Sequence, residues 1–177
     1  MTSASEHPWV ATTLRPHQAS ALEEMESLLA REAVQRPLAF VGDFGAGKTT
    51  VARHWLARHF EEPERHYLAL GDTLTRALME DAPIETYADH PGKAKVALRL
   101  ALDTALEEAF AAGDAVVVDS IEVLIEYNIP LLTLLEPYVR AGKVAVVCVP
   151  ESPRHGFSFD FPAFQCYPIS VDADPPG

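Results

Sequence analysis

The sequence predicts an α/β fold in which a mostly parallel sheet of five strands carries helices on both faces. Helical and strand-like patterns alternate along the chain, as they do in proteins built from strand-helix-strand units. An apolar run, Leu38 to Val41, leads into a glycine-rich loop, and a β-branched run, Ala115 to Val118, ends at the carboxylate of Asp119. Short, wholly apolar runs of this kind are typical of parallel strands that are buried on both faces.

The glycine-rich loop has the composition of a phosphate-binding loop. Its backbone N–H groups can converge on a polyphosphate, and the helix that begins near Gly47 directs its positive end at the same anion. Lys48 is then expected to reach the β- and γ-phosphates, and the hydroxyl of Thr49 to bind Mg²⁺. A glycine turn without a ligand is the alternative, but it requires every fixed position to match by accident. The predicted nucleotide-binding residues are Gly42, Asp43, Phe44, Gly45, Ala46, Gly47, Lys48, Thr49 and Thr50.

Asp119 is predicted to complete this site. The carboxyl ends of parallel strands meet at one edge of a sheet, so Asp119 can orient the water shell of the Mg²⁺ ion. A further strand, His66 to Leu70, lies between the two motifs in sequence. This interval suits the AAA-like branch of P-loop ATPases, which has an extra strand between the loop strand and the Mg²⁺ strand. We therefore expect a three-layer P-loop NTPase core that uses ATP and Mg²⁺, without a lid domain after it.

Glu122 is the candidate catalytic base. Enzymes of this branch usually place a glutamate close to the strand-end aspartate, where it polarises the attacking water. Here Ser120 follows Asp119, and Glu122 is the nearest carboxylate after it. Glu122 either activates water or is a structural carboxylate on the turn after the strand, and the sequence leaves both interpretations open.

The helices are predicted from apolar side chains at helical spacing and from the residues at their ends. Proline is favoured at the first helical position and glycine just past the last one, and Pro16, Pro130, Gly113 and Gly142 fit these preferences. A loop with Pro83, Pro91 and Gly92 separates the third helix from the fourth. The expected helices open at Pro16, run from Thr49 to His59, run from a cap at Asp72 or Thr73 through Met79, and span Lys93 to Ala112 and Pro130 to Arg140.

The strands are predicted from short apolar runs rich in β-branched residues. The expected strands are Leu38 to Val41, His66 to Leu70, Ala115 to Asp119, Lys143 to Val149 and Gln165 to Ser170. Together these elements predict a flexible N-terminus over residues 1–14, a single domain over 15–171 and a flexible tail over 172–177.

Composition narrows the class of protein. With 48% hydrophobic residues among 177, the chain can bury one full core. Its net charge of −12, from 14 basic and 26 acidic residues, argues against strong nucleic-acid binding by this chain alone. Cys148 and Cys166 lie in apolar stretches and are expected to be reduced core thiols. The sequence shows no signal peptide and no apolar run of about 20 residues, so we expect a cytoplasmic protein without a membrane segment.

Three further features have alternative interpretations. Arg140, at the end of a helix, is expected either to reach the nucleotide of a neighbouring subunit or only to favour the helix dipole. Arg154 is expected to be a loop arginine in solvent, with γ-phosphate sensing as the alternative. The aromatic segment, defined by Phe157, Phe159, Phe161 and Phe164, predicts core packing or a docking face for a partner.

Part of the chain resembles a known family. The segment Val116-Val117-Val118-Asp119-Ser120-Ile121-Glu122-Val123-Leu124, the Pro-Leu-Leu helix ending at Arg140, the strand Lys143 to Val149 and the run Tyr67-Leu68-Ala69-Leu70 are similar to the BrxF family of small P-loop proteins from type 3 BREX phage-defence systems. The resemblance implies a role beside a large ATPase, a DNA methyltransferase, an alkaline-phosphatase-like protein and a helicase. It implies nucleotide and Mg²⁺ roles for Lys48, Thr49 and Asp119, and a shared but unassigned Glu122.

The sequence therefore predicts an ATP-dependent P-loop protein, a slow ATPase whose nucleotide state controls assembly with defence-complex partners or with copies of itself. The first alternative is a small-molecule or nucleotide kinase, which uses the same loop but usually needs an arginine-bearing lid. No arginine occurs between Asp81 and Lys93, which disfavours that alternative. The second alternative is a module that binds nucleotide without turning it over.

Overall fold

The structure, a computed structural model, describes residue 10 and residues 13–31, 35–151 and 166–172. Within these ranges the strands are β1 (Leu38–Gly42), β2 (Tyr67–Ala69), β3 (Ala115–Asp119), β4 (Val144–Pro150) and β5 (Tyr167–Ser170). They form one sheet in the order β2-β3-β4-β1-β5, and every pairing between neighbours is parallel. The predicted five-stranded, mostly parallel sheet is thus confirmed.

Helices cover both faces of the sheet and make the domain three-layered. The helices of the described ranges are α1 (Pro16–Ala30), α2 (Lys48–His59), α3 (Leu70–Asp81), α4 (Ile84–Ala88), α5 (Pro91–Ala112), α6 (Glu122–Glu126) and α7 (Leu131–Arg140). On one face, Met25 of α1 and Leu56 of α2 pack in a core with Phe40 of β1. On the other face, Leu102 of α5 and Leu135 of α7 pack in a second core.

Strand β3 shows why these runs are apolar throughout. Successive side chains of a strand point to opposite faces of the sheet. Val117 accordingly belongs to the core beneath α1 and α2, whereas Val116 and Val118 belong to the core beneath α5 and α7. A polar side chain at any of these positions would be buried, so the sequence supplies valine at each of them.

The order of the strands places the loop and Asp119 at one edge of the sheet. Because all pairings are parallel, the loop after β1, the end of β3 and the end of β4 lie at the carboxyl edge. The strand that separates β1 from β3 is β4, as in the predicted branch of P-loop proteins. Strand β2, which lies between the two motifs in sequence, is instead at the outer edge beside β3.

Several boundaries differ from the predictions. Helix α3 begins at Leu70 directly after β2, so Asp72 lies in its first turn and neither Asp72 nor Thr73 is the cap. The predicted loop around Pro83 contains α4, and α5 begins at Pro91, where the missing N–H of proline is tolerated. Helix α6 was not predicted, because five residues are too few to show helical periodicity.

Some predictions fall wholly or partly outside the described residues. Arg154, the aromatic segment, Gln165, most of the N-terminus and positions 173–177 belong to this group. Within the described ranges, no helix combines the length and the apolarity that crossing a bilayer requires. Cys148 and Cys166 are free thiols in buried positions, in agreement with the prediction.

Candidate nucleotide-binding site

The loop between β1 and α2 has the backbone geometry of an anion site. Gly45 and Gly47 adopt φ values of 78° and 100°, which residues with a Cβ rarely tolerate. Gly47 is the N-cap residue of α2, so the helix begins at Lys48. The N–H groups in the first turn of a helix have no partner within it and carry the positive end of the helix dipole. An anion in the loop would accept from these groups.

Gln18 of α1 supports the loop from below, which the sequence did not reveal. Its side chain is 7% exposed, and its Nε2 donates to the carbonyl oxygen of Ala46 at 3.0 Å. Its Oε1 accepts from the backbone N–H of Arg15 at 2.9 Å, which holds the amide in one orientation. A Cβ on Gly47 would lie 2.1 Å from Nε2 of Gln18. The absence of a Cβ at Gly47 therefore leaves room for the Gln18 amide, and glycine also allows the positive φ.

Lys48 folds back onto the loop. Its Nζ donates to the carbonyl oxygens of Gly42 and Asp43, at 2.8 Å each. Desolvation lowers the pKa of Lys48 below its ordinary value of 10.5, while nearby carboxylates, those of Asp119 and Asp172 among them, oppose the shift. The ammonium group thus lies within the loop, where it is partly desolvated.

Thr49 and Asp119 are in direct contact. The hydroxyl of Thr49 donates to Oδ2 of Asp119 at 2.6 Å, across 70 positions in sequence. The backbone N–H of Ser120 donates to Oδ1 of the same carboxylate at 2.8 Å. Ser120 itself has a φ of 57°, an uncommon conformation for a residue other than glycine. The chain therefore turns sharply directly after Asp119, the last residue of β3.

Tyr67 of β2 is a third partner of Asp119 that sequence reasoning missed. Its hydroxyl donates to Oδ2, the oxygen that also accepts from Thr49. Burial raises the pKa of Tyr67, and the hydrogen bond to Asp119 raises it further. The guanidinium carbon of Arg53 lies 5.2 Å from the centroid of the Tyr67 ring, within the range of a cation–π contact.

Asp172 also belongs to the site, although the sequence assigned it to a flexible tail. The N–H of Val171 donates to the carbonyl oxygen of Val41 at 2.9 Å, which holds this segment beside β1. Oδ1 of Asp172 then accepts from the N–H of Asp43 at 2.8 Å. Gly42 provides the room, since a Cβ there would lie 3.0 Å from that oxygen. The boundary expected at residue 172 therefore falls within the site.

Two further carboxylates, those of Glu122 and Glu151, follow strands β3 and β4. Glu122 is exposed and forms the first residue of α6, three positions after Asp119. Glu151 follows β4, and its backbone N–H donates to the carbonyl oxygen of Gly42 at 2.9 Å, so it lies next to the loop. Both residues are at the carboxyl edge of the sheet. The role of Glu122 as the catalytic base stays a prediction.

Arg140 does not join the site within one chain. It ends α7, and the connection after it leads to the start of β4, so it lies at the amino edge of the sheet, opposite the loop. Its guanidinium group pairs with Glu136 one turn earlier in the helix. An action of Arg140 on the nucleotide of a neighbouring chain stays a prediction. Phe44 and Thr50 lie at the loop, with the Phe44 side chain 52% exposed.

The strand order, the loop after β1 and the carboxylate at the end of β3 define the class: an α/β domain with the fold of P-loop NTPases. Among solved structures, the chain is similar to domain III of the Thermotoga maritima replication initiation protein DnaA, with 16% sequence identity and a TM-score of 0.52. The similarity covers 94% of this chain and 66% of that one, and at this identity it concerns the fold alone. No family model matches the sequence, and no curated protein matches it either. The resemblance to the BrxF family stays a prediction.

Proposed function

We propose that this chain binds ATP with Mg²⁺ at the loop between β1 and α2 and hydrolyses it slowly. The observation that carries the proposal is the 2.6 Å hydrogen bond between Thr49 and Asp119. In a P-loop enzyme this threonine binds Mg²⁺ and this aspartate orients the water shell of the metal. The two groups come from separate motifs, and the fold brings them together at the carboxyl edge of the sheet.

The donor set fits both ligands. Hydroxyl and carboxylate oxygens are the ligands that Mg²⁺ prefers, and the metal usually takes one or two protein groups together with substrate phosphates and water. Lys48 would exchange its two carbonyl acceptors for phosphate oxygens, which are stronger partners for an ammonium group. When bound, Mg²⁺ neutralises phosphate charge.

Slow turnover is proposed because the charges around the loop are unfavourable. Asp43, Asp119 and Asp172 all lie close enough to Lys48 to affect its pKa. An arginine that stabilises the transferring phosphoryl group is worth about 10³–10⁵ in rate, and Arg140 lies at the opposite edge of the sheet. We therefore propose that a second copy or a larger ATPase supplies such a cation and excludes water.

Phosphate release from ATP, with and without Mg²⁺, tests this function. We expect saturable, Mg²⁺-dependent release at well below about 1 s⁻¹, the lower end of ordinary enzyme turnover. Transfer to an added small-molecule or nucleotide acceptor would indicate a kinase instead, and tight binding without release would indicate a non-hydrolysing module. An isolated chain that turns over faster than about 1 s⁻¹ while remaining a monomer would contradict the need for a partner.

Size measurement with a non-hydrolysable ATP analogue tests assembly. Self-association in its presence supports completion of the site by a second copy. In that assembly, Arg140→Ala should lower turnover more than it lowers ATP affinity, because an arginine supplied in trans acts on the transition state. Equal effects on turnover and affinity would contradict an action of Arg140 on the transition state in the neighbouring chain. Arg58→Ala is the control, since Arg58 is also an exposed helical arginine but pairs with Glu26 elsewhere.

The biological part of the proposal rests on the resemblance to the BrxF family. We propose that the chain is a nucleotide-dependent component of a BREX-type phage-defence complex, beside a large ATPase, a DNA methyltransferase, a phosphatase-like protein and a helicase. Phage plating on cells that carry such a system tests it. Lys48→Ala should abolish protection while the protein level stays unchanged, and full protection by the variant would contradict the proposal. The net charge of −12 predicts that purified chain alone leaves DNA unshifted in a gel.

A further inference from the structure

Among the described residues, three donors hold the carboxylate of Asp119. Oδ1 accepts from the N–H of Ser120, and Oδ2 accepts from the hydroxyls of both Thr49 and Tyr67. A carboxylate oxygen has two lone-pair directions, so these donors use both directions on Oδ2 and one of the two on Oδ1. Of the described residues, none occupies the second direction on Oδ1, which could accept from a metal-bound water.

The position of Tyr67 follows from the register of the sheet. Ala69 of β2 pairs with Asp119 of β3, and Tyr67 pairs with Val117, two residues earlier. Tyr67 therefore starts two residues before the level of Asp119, packs against the core that α2 covers, and reaches the carboxylate with its hydroxyl. Successive residues of a strand point to opposite faces, so the residue next to Tyr67 on β2 cannot replace it.

Helix α2 links this tyrosine to the loop. Thr49 and Arg53 are four positions apart on α2 and so lie on the same face of the helix. Thr49 contacts Asp119 directly, while Arg53 lies over the ring of Tyr67, which contacts the same oxygen. Asp119 thus links Thr49 to Tyr67, and Tyr67 in turn contacts Arg53, so a rotation of the Asp119 carboxylate breaks at least one of its contacts.

We propose that Tyr67 is a positioning residue of the magnesium site: its hydroxyl fixes the Asp119 carboxylate in the orientation that accepts from the Mg²⁺ water shell. This inference rests on the proposed function. Tyr67 does not contact nucleotide or metal in this role, and it acts only through Asp119. Partners that orient a metal-site carboxylate in this way are typically worth about 10- to 100-fold in metal affinity.

Tyr67→Phe is the test, because it removes the hydroxyl and keeps the ring beneath Arg53. The chain offers a matched control in Tyr87→Phe, since Tyr87 also donates to an aspartate, Asp81, at 2.5 Å, but where α3, α4 and α5 pack together. We expect Tyr67→Phe to raise the Mg²⁺ concentration for half-maximal ATP-analogue binding by about tenfold or more. Mg²⁺-free binding should stay near the wild-type value. Tyr87→Phe should leave both quantities unchanged.

An unchanged Mg²⁺ requirement in Tyr67→Phe would overturn the inference, as would an equal loss of Mg²⁺-free binding. A wild-type chain that binds no nucleotide would instead overturn the proposed function, so the two failures are distinguishable. Should Tyr67→Phe fail to fold, Arg53→Met provides the second variant. Removing the positive charge of Arg53 should by itself strengthen Mg²⁺ binding. A raised Mg²⁺ requirement in Arg53→Met therefore indicates that the Asp119 carboxylate is no longer positioned, whereas a lowered or unchanged requirement contradicts the inference.

Discussion

Gly47→Ala is expected to destabilise the domain because of Gln18. The added Cβ would lie 2.1 Å from Nε2 of Gln18, at a residue whose φ is 100°. Two costs therefore combine. A positive φ costs a residue with a Cβ about 1–2 kcal/mol. Displacement of Gln18 removes its hydrogen bond to Ala46 and leaves buried polar groups without partners, which costs about 1–3 kcal/mol more.

The expected loss in the free energy of unfolding is thus about 2–5 kcal/mol, the sum of the backbone and hydrogen-bond costs. Urea denaturation of four proteins separates the two costs: wild type, Gly47→Ala, Gln18→Ala and the double variant. In the Gln18→Ala background the clash is absent, so Gly47→Ala should cost only the backbone strain of about 1–2 kcal/mol. The double variant should therefore be more stable than the sum of the single losses predicts, by about 1–3 kcal/mol. Additive losses would refute the reasoning, because they would mean that Gln18 does not rest on Gly47.

Three further predictions concern charge and catalysis. Desolvation holds the pKa of Lys48 below 10.5, so nucleotide affinity should fall as the pH rises through that lowered value. The folding stability of the free chain should instead rise over the same pH interval, because the unfolded state keeps the Lys48 proton to a higher pH than the folded state does. A nucleotide affinity that is flat up to pH 10.5 would contradict this prediction. Glu122→Gln should preserve ATP binding and lower phosphate release by about 10²–10⁴-fold, the usual worth of a general base, and unchanged turnover would assign the role to another carboxylate such as Glu151. Asp172→Asn keeps an acceptor for the N–H of Asp43 but removes a negative charge beside the loop, so Mg²⁺-free ATP should bind about fivefold more tightly; calorimetry that shows equal or weaker binding would contradict that electrostatic argument.

The loop and Asp119 could be predicted because each is a local pattern. Glycines at fixed spacing between a strand and a helix indicate a phosphate site by themselves, and an apolar run that ends in a carboxylate indicates a strand tip. The mostly parallel sheet followed from the same patterns, and parallel strands bring these tips to one edge. Helix α6 and the start of α3 were missed because short or directly joined elements carry little periodicity.

The supporting residues could not be predicted, because tertiary contacts bring them to the site. Gln18 reaches Ala46 across 28 positions, and Asp172 reaches Asp43 across 129. One feature of the sequence pointed to Tyr67. It lies on the strand that precedes the Asp119 strand, and the carboxyl ends of these two strands were expected at the same edge of the sheet. The position of Arg140 was also deducible. A helix that returns the chain to the start of a parallel strand ends at the amino edge of the sheet, away from the ligand.

Calorimetric titration of wild-type chain and Lys48→Ala with a non-hydrolysable ATP analogue and Mg²⁺ tests the central claim most directly. Lys48 is only partly buried and its ammonium contacts loop carbonyls, so the variant should keep the fold, as circular dichroism will check. We predict one saturable site in the wild type and an affinity at least about tenfold lower in Lys48→Ala, since a charge-assisted hydrogen bond contributes about 1.5–3 kcal/mol. Equal affinity in the two folded proteins, or no binding by the wild type, would contradict the assignment of this loop as a nucleotide site.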